Sequence, residues 1–199
     1  MSLVLGLCLF FAVIMLYWLI SRVAKQVTPT NKGYYSFYRS AYKQTDEELE
    51  EDLEAVKSAS DYRSIGDIEF FETTDIDIVP VFHQLIPEAN RASMYWTIHN
   101  PLVHSIIMGT KLYYNRARPH QIGNVNTLQS RSAHTPSYPS GHAVQAFALA
   151  KRLTSKFPEK ANEINYLAEK VADIRKIGGV HYPSDKDFAR RLVDKMFWL

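Results

Sequence analysis

The chain has 199 residues, 46% of them hydrophobic and 22% charged, the composition of one globular domain with something attached. Its net charge of +2 comes with scattered basic residues, which leaves no footprint for nucleic acid. A single cysteine, Cys8, excludes an intrachain disulfide and a cysteine-based metal centre, and its position outside the polar part of the chain fits a reducing compartment.

The attachment comes first in chain order. Residues 3–20, LVLGLCLFFAVIMLYWLI, are uninterruptedly apolar and meet the lower limit of the roughly 17–25 residues that cross a bilayer. Tyr17 and Trp18 sit near the end of the run, where amphipathic rings favour the interface. No basic side chain precedes the run, and Arg22 stands where a cleavage site wants a small residue. Residues 1–22 therefore read as an uncleaved single-pass anchor rather than a signal peptide, making the protein a membrane protein held through residues 3–20. Arg22, Lys25 and Lys32 follow the span; the positive-inside rule favours a cytoplasmic domain, although one span leaves the side of the membrane open.

Residues 23–60 read as a tether, aromatic-rich around GYYSFYRSAY, and an acidic helix over 46–59 with Leu49, Leu53 and Val56 at helical spacing. The charge run reads as a solvated face. The domain proper covers 61–199. Within it, IDIVPVFHQLI (76–86) is ambiguous, since Pro80 argues against a central strand and for a broken helix. Residues 88–117 are helical, interrupted or kinked near Pro101. The stretch 94–109 carries His99, Asn100 and His104 and reads as buried helix, not a second span. Arg118-Pro119 ends this region, because a residue before proline avoids the helical conformation.

Residues 120–139 form a polar loop. Ser140 caps the next helix, with Val144, Phe147, Ala148 and Leu149 inward, and Pro158 stops it. Another helix spans 159–176, Gly178-Gly179 breaks it, and PSDKDFARRLVDKMF (183–197) makes the last one. Strand signals are scarce. The fold class is mostly α, a compact helical bundle.

Three short stretches carry chemistry. In KLYYNRARP, Lys111 and Arg118 taken alone are a basic helix C-terminus favoured by the macrodipole. In SYPSGHA (137–143), Pro-Ser-Gly alone is a turn, with His142 in the first turn of a helix whose exposed amides suit an anion. In IGGVHYPSD (177–185), Pro183 suits the first helical position. His181 then precedes the helix and Asp185 lies in its first turn, so the carboxylate can fold back to accept from Nδ1–H. That bond fixes the tautomer and leaves Nε2 as a nucleophile. The paired glycines permit the tight backbone between Arg175 and His181. Taken alone, His181 is an Asp-bonded structural histidine.

Together the pieces say more. A lysine and two arginines can neutralise three phosphoryl oxygens, a helix terminus adds amide donors, one histidine can attack and the other protonate the leaving oxygen. That set suffices for metal-free phosphoryl transfer.

Lys111-x6-Arg118-Pro119, Pro139-Ser140-Gly141-His142 and Arg175-x5-His181-x3-Asp185 resemble the three-part signature of the type 2 phosphatidic acid phosphatase/vanadium haloperoxidase superfamily. The resemblance covers roughly residues 85–197, and KLYYNRARP and SYPSGHA are similar to the soluble non-specific (class A) acid phosphatases within it. It implies that superfamily's helical bundle and a set of roles. Lys111, Arg118 and Arg175 would bind phosphate oxygens, helped by Ser140 and the Gly141 amide. His181 would form a phosphohistidine, oriented by Asp185, with His142 as general acid. No metal or other cofactor is implied, and vanadate is expected to inhibit as a phosphate mimic. Ile174 departs from the pattern, which usually has serine there; it is not read as inactivating.

The expected function is a membrane-tethered, metal-independent phosphomonoester hydrolase. A phosphatase of lipid or isoprenoid phosphates is the alternative nearest in chemistry. A vanadate-dependent haloperoxidase and a non-catalytic phosphate-binding module are alternatives of other classes. His83, His99, His104, His120 and His134 show no metal-ligand spacing and read as surface or core histidines. The 120–136 loop and the aromatic 34–42 segment are candidates for the pocket walls.

Overall fold

In the computed structural model, residues 33–35 and 41–196 are described. The anchor assigned to 1–22 lies outside them, as does most of the tether before residue 41. Among the described residues no helix is long and apolar enough to cross a membrane.

Helix α1 (Asp46–Asp61) opens on a capping box: the Thr45 hydroxyl accepts from the Glu48 amide, and the Glu48 carboxylate accepts from the Thr45 amide. Helix α2 (Ile65–Ile76) opens on the same device at Ser64 and Asp67. The sequence reading assigned no element to this stretch, because its large apolar residues do not share one face; Ile65 and Ile76 are exposed while Phe71 is buried. Helix α3 (Val79–Leu85) settles the ambiguous run as helix, with Pro80 in the first turn, where no amide donor is needed.

The predicted interruption at Pro101 is a complete break. Helix α4 (Arg91–Ile98) ends before it. Helix α5 (Pro101–Tyr114) begins anew, with Asn100 Oδ1 accepting from the amides of Leu102 and Val103 at 2.9 and 3.4 Å. It also ends earlier than expected. Asn115 takes the left-handed conformation, φ 46° and ψ 41°, a conformation that terminates helices, so the chain runs extended through Arg118. The Asn115 side chain clasps the Tyr35 backbone, accepting from its amide at 2.8 Å and donating to its carbonyl at 3.0 Å. Gly33 bridges to Arg116. This part of the tether is therefore bonded to the domain.

A single turn, α6 (Pro119–Ile122), interrupts the expected loop. Helix α7 (Gly141–Lys156) follows, then a 3₁₀ turn at Pro158–Lys160, α8 (Ala161–Ile177) and α9 (Pro183–Asp194). The last helix stops three residues before the predicted end. No strand forms among the described residues.

Helix α7 is the hub. Ala143, Val144, Ala146, Phe147, Ala148, Leu149, Ala150 and Leu153 are all buried, the pattern of a helix covered on most sides. Its alanines let α8, α9 and α4 close in around it. Truncating Leu149, which has no exposure, to alanine would destabilise by about 2–5 kcal/mol. This packing sets the first turns of α7 and α9 side by side, where the Ser140 amide donates to the Asp185 carbonyl at 3.3 Å. Two of the three chemical motifs meet there. Helix α1 lies across α8 and α9 with Glu47, Glu50, Glu51 and Glu54 exposed. Asp52 departs from the expected solvated face, its side chain being 12% exposed and turned inward.

Candidate active site

A cavity of about 560 Å³ opens beside this junction, and Lys111, Arg118, Gly141, His142 and His181 line it. The other expected residues stand behind its surface. Ile76, Ile78, Ile98, Ile107 and Met108 add apolar wall to the same cavity.

The third motif takes the predicted geometry. Pro183 is the first residue of α9, and Asp185 Oδ2 accepts from the Tyr182 amide at 3.0 Å and bonds His181 Nδ1 at 2.9 Å. On the far side of the ring, Arg118 Nη1 approaches Nε2 at 3.2 Å. A guanidinium can only donate. Nε2 is therefore the acceptor, and Nδ1 carries the proton that Asp185 takes. Burial, then the neighbouring Arg118, hold His181 well below the ordinary histidine range, against the opposing pull of Asp185. The ring is thus neutral. For Asp185 burial pushes upward, but Arg116, the bond to His181 and the Ser137 hydroxyl outweigh it and keep the carboxyl ionised.

Arg118 is fixed by loop carbonyls: Nε donates to Thr135 O at 2.8 Å, Nη1 to Val180 O at 2.8 Å and Nη2 to Ser132 O at 3.2 Å. Lys111, in the last turn of α5, donates to the carbonyls of Pro136 and Ser137. Burial, and next Arg118, lower its pKa well below the ordinary lysine value. The polar 120–139 loop wraps both cations, and as expected it also supplies wall, through Ser132, His134 and Thr135.

Arg175 is fully buried and is not part of the cavity wall. Its Nη2 donates to Asp75 Oδ1 at 2.6 Å and to Ser130 Oγ at 3.1 Å, and its guanidinium carbon stands 4.4 Å from the Phe71 ring centre. Nε and Nη1 are buried without a partner. Leaving a buried donor unmet costs about 1–3 kcal/mol, so these atoms suit an anion. Ser140 is buried, and its hydroxyl accepts from the Ala143 amide at 3.4 Å as the cap of α7; Gly141, not Ser140, reaches the cavity wall. His142 bonds the Asp75 backbone, and burial together with Arg175 pushes it down to about 3. With no anion present it is neutral. A phosphoryl group beside it raises its proton affinity.

The two glycines serve different ends. Gly179 sits at φ +74°, left-handed backbone that favours glycine. Gly178 caps α8 with right-handed backbone open to any residue, but a Cβ there would lie 2.2 Å from the Phe71 ring. Ile174 packs with Phe71 and Val180 in a small apolar cluster, so the place of the usual serine is filled by core.

Several functional neighbours escaped the sequence reading. Asp75 ends a helix that had no clear periodicity, and nothing local marked it. Arg116 lies in KLYYNRARP between the residues singled out, and Ser137 in SYPSGHA just before them. His99, His104 and His134, read as surface or core histidines, line the cavity with Tyr95 and Gln145. Conversely, Tyr42 of the 34–42 segment packs over Arg116, its ring centre 4.1 Å from the guanidinium carbon, and neither it nor Tyr34 or Tyr35 forms cavity wall.

Comparison with known proteins finds likeness in both sequence and fold. Two non-specific acid phosphatases, from Salmonella typhi and Salmonella typhimurium, are each 36% identical over 84 residues, covering 40% of this chain and 34% of theirs. The chain thus spans about a third of the length of these curated relatives. The crystal structure described as the first transmembrane PAP2-type phosphatidylglycerolphosphate phosphatase, from Bacillus subtilis, superposes with a TM-score of 0.53 at 15% identity, over 92% of this chain and 90% of that one. At that identity the likeness speaks for the fold. The PAP2 superfamily profile matches residues 94–187, a segment that contains all three motifs.

Proposed function

We propose that the chain is a metal-independent phosphomonoester hydrolase working through a phosphohistidine on His181, held at a membrane by residues 3–20. The reading is supported above all by the state of His181: a neutral ring, oriented through Nδ1 by Asp185, with Nε2 beside Arg118 at the wall of a cationic cavity. Lys111, Arg118 and the unmet donors of Arg175 receive the phosphoryl oxygens, with the Gly141 amide at the start of α7. Nε2 attacks phosphorus; the N–P bond forms as the ester P–O bond breaks, and His142 gives its proton to the departing oxygen. Water then attacks the phosphohistidine while His142 takes its proton, the N–P bond breaks, and phosphate leaves with His181 neutral again. His181 must be unprotonated and His142 protonated for the first step, so a bell-shaped pH profile follows.

The test is hydrolysis of a chromogenic phosphate monoester by the full chain, at about pH 5–7 with EDTA present, beside His181→Ala and with orthovanadate. Activity that survives EDTA and disappears with the substitution and with vanadate is expected. Activity lost to EDTA, or kept by His181→Ala, overturns the reading.

The apolar wall of Ile76, Ile78, Ile98, Ile107 and Met108, with the apolar run at 3–20, favours a second reading in which the ester is a lipid or isoprenoid phosphate. Turnover of a micellar lipid phosphate far above that of the small ester selects it. Peroxide- and halide-dependent bromination after vanadate loading would instead select haloperoxidase chemistry, and vanadate binding without any turnover a binding module.

A further inference from the structure

Arg116 stands two residues before a phosphate-binding arginine yet faces away from the cavity. It is 2% exposed. Its Nη1 donates to Asp185 Oδ1 at 2.6 Å and Ser184 Oγ at 2.9 Å; its Nη2 donates to Asp52 Oδ2 at 2.7 Å and Gln44 Oε1 at 3.1 Å. The rings of Tyr182 and Tyr42 cover it, with centres 3.8 and 4.1 Å from the guanidinium carbon. Substrate binding accounts for none of these contacts.

We propose that Arg116 is a positioning residue that keeps the His181 nucleophile unprotonated by sharing the charge of Asp185, and that Asp52 and Gln44 of the amino-terminal segment hold it there. The inference rests on the reading of His181 as nucleophile. Asp185 must do two things that conflict. Its Oδ2 orients the imidazole, but an unshared negative charge 2.9 Å from the ring favours imidazolium, which cannot attack. Arg116 on the opposite oxygen removes much of that pull without disturbing the orienting bond. The groups facing the pair make the balance clear: Arg118 meets Nε2 and Lys111 lies beyond it, Arg116 and Ser137 meet Asp185, and Asp52 stands behind Arg116 with Tyr42 and Tyr182 alongside. Three cations against two carboxylates keep the ring neutral. Of the two carboxylates, Asp52 lies on α1, so the segment leading from the tether is wired to the nucleophile.

The test follows the His181 ring nitrogens by NMR in the ligand-free full chain, alongside the pH dependence of kcat. In Arg116→Gln the protonation midpoint of His181 is expected to rise by about one pH unit or more, and the acid limb of kcat to move up with it. Arg116→Lys keeps the charge and is expected to hold the midpoint near the wild-type position even where kcat falls. Asp52→Asn loosens the hold on Arg116 and is expected to raise the midpoint, by less than Arg116→Gln does. A folded Arg116→Gln whose midpoint and acid limb stay put reduces Arg116 to a structural role and overturns the proposal. Should that variant not fold, a midpoint raised in Arg116→Lys, or one unmoved in Asp52→Asn, overturns it equally. The NMR readout needs no turnover, so a chain without phosphatase activity would sink the reading of the site while this inference was still decided.

Discussion

In front of His181 the cavity gathers Lys111, Arg118, Gly141 and His142; behind it Asp185, Arg116 and Asp52 alternate in sign, and none of them touches the cavity. Arg116 and Arg118 make the contrast sharp, being the same residue type, two positions apart and both buried. One neutralises a carboxylate that belongs to the protein. The other lines the cavity, held by loop carbonyls and set against the histidine ring. On the function proposed above the front is the face that meets an oxyanion, and the back is a network of alternating charge within the protein. Substitutions in front should act on turnover and ligand affinity, and those in the supporting layer on stability and on the proton affinity of the histidine.

The largest effect belongs to the residue both faces serve. His181→Ala should lower kcat on the order of 10⁴-fold or more, read as initial rates on a phosphate monoester; a small loss would mean another group attacks. Asp75→Asn comes next. It breaks the pair with buried Arg175 and leaves that cation uncompensated, which should destabilise the fold by about 3–5 kcal/mol, measured by denaturant titration. A loss of activity with unchanged stability would instead move Asp75 from the supporting layer to the front. Arg118→Lys keeps the charge but loses the fork, and should cost roughly 10²–10³-fold in kcat, separating geometry from charge in front of the ring.

Protons should distinguish the faces too. His142 is pushed down to about 3 and His181 well below its ordinary value. Above about pH 6.5 both folded and unfolded forms hold these rings neutral. As pH falls below that, the unfolded chain binds protons that the folded one refuses, so stability declines toward about pH 3. The thermal midpoint should therefore fall by several degrees with acidification, and vanadate should flatten the slope by raising the affinity of both rings for protons. A midpoint indifferent to pH would mean that the front is already compensated. The smallest effect expected is Gly179→Ala, about 1–2 kcal/mol for placing a side chain in left-handed backbone, read as a shift in the denaturation midpoint with the pH profile unmoved.

Much of the front was legible from spacing. Pro183 marks the start of a helix wherever the chain places it, so the fold-back of Asp185 onto His181 follows from four residues. Ser140 as cap and Arg118 in extended backbone before proline follow from equally local sterics. The core face of α7 could be read from its periodicity. Elsewhere the reading slipped where one residue overrode the pattern, as Asn115 did in ending α5 early, or where no pattern existed, as in α2.

The supporting layer was not legible, and its chain separations explain why. Asp75 and Arg175 meet across 100 positions, Arg116 and Asp52 across 64, Arg116 and Asp185 across 69. The spacing Lys111-x6-Arg118-Pro119 singled out Arg118, but nothing in KLYYNRARP says that Arg116 turns back toward α1, nor could His99, His104 and His134 be assigned to one cavity. Rules of a few residues carry the backbone geometry of each motif, because hydrogen bonds and steric clashes there act between near neighbours. Which side chain completes another's charge depends on how the helices pack around α7, and that is settled by burial of the whole apolar core.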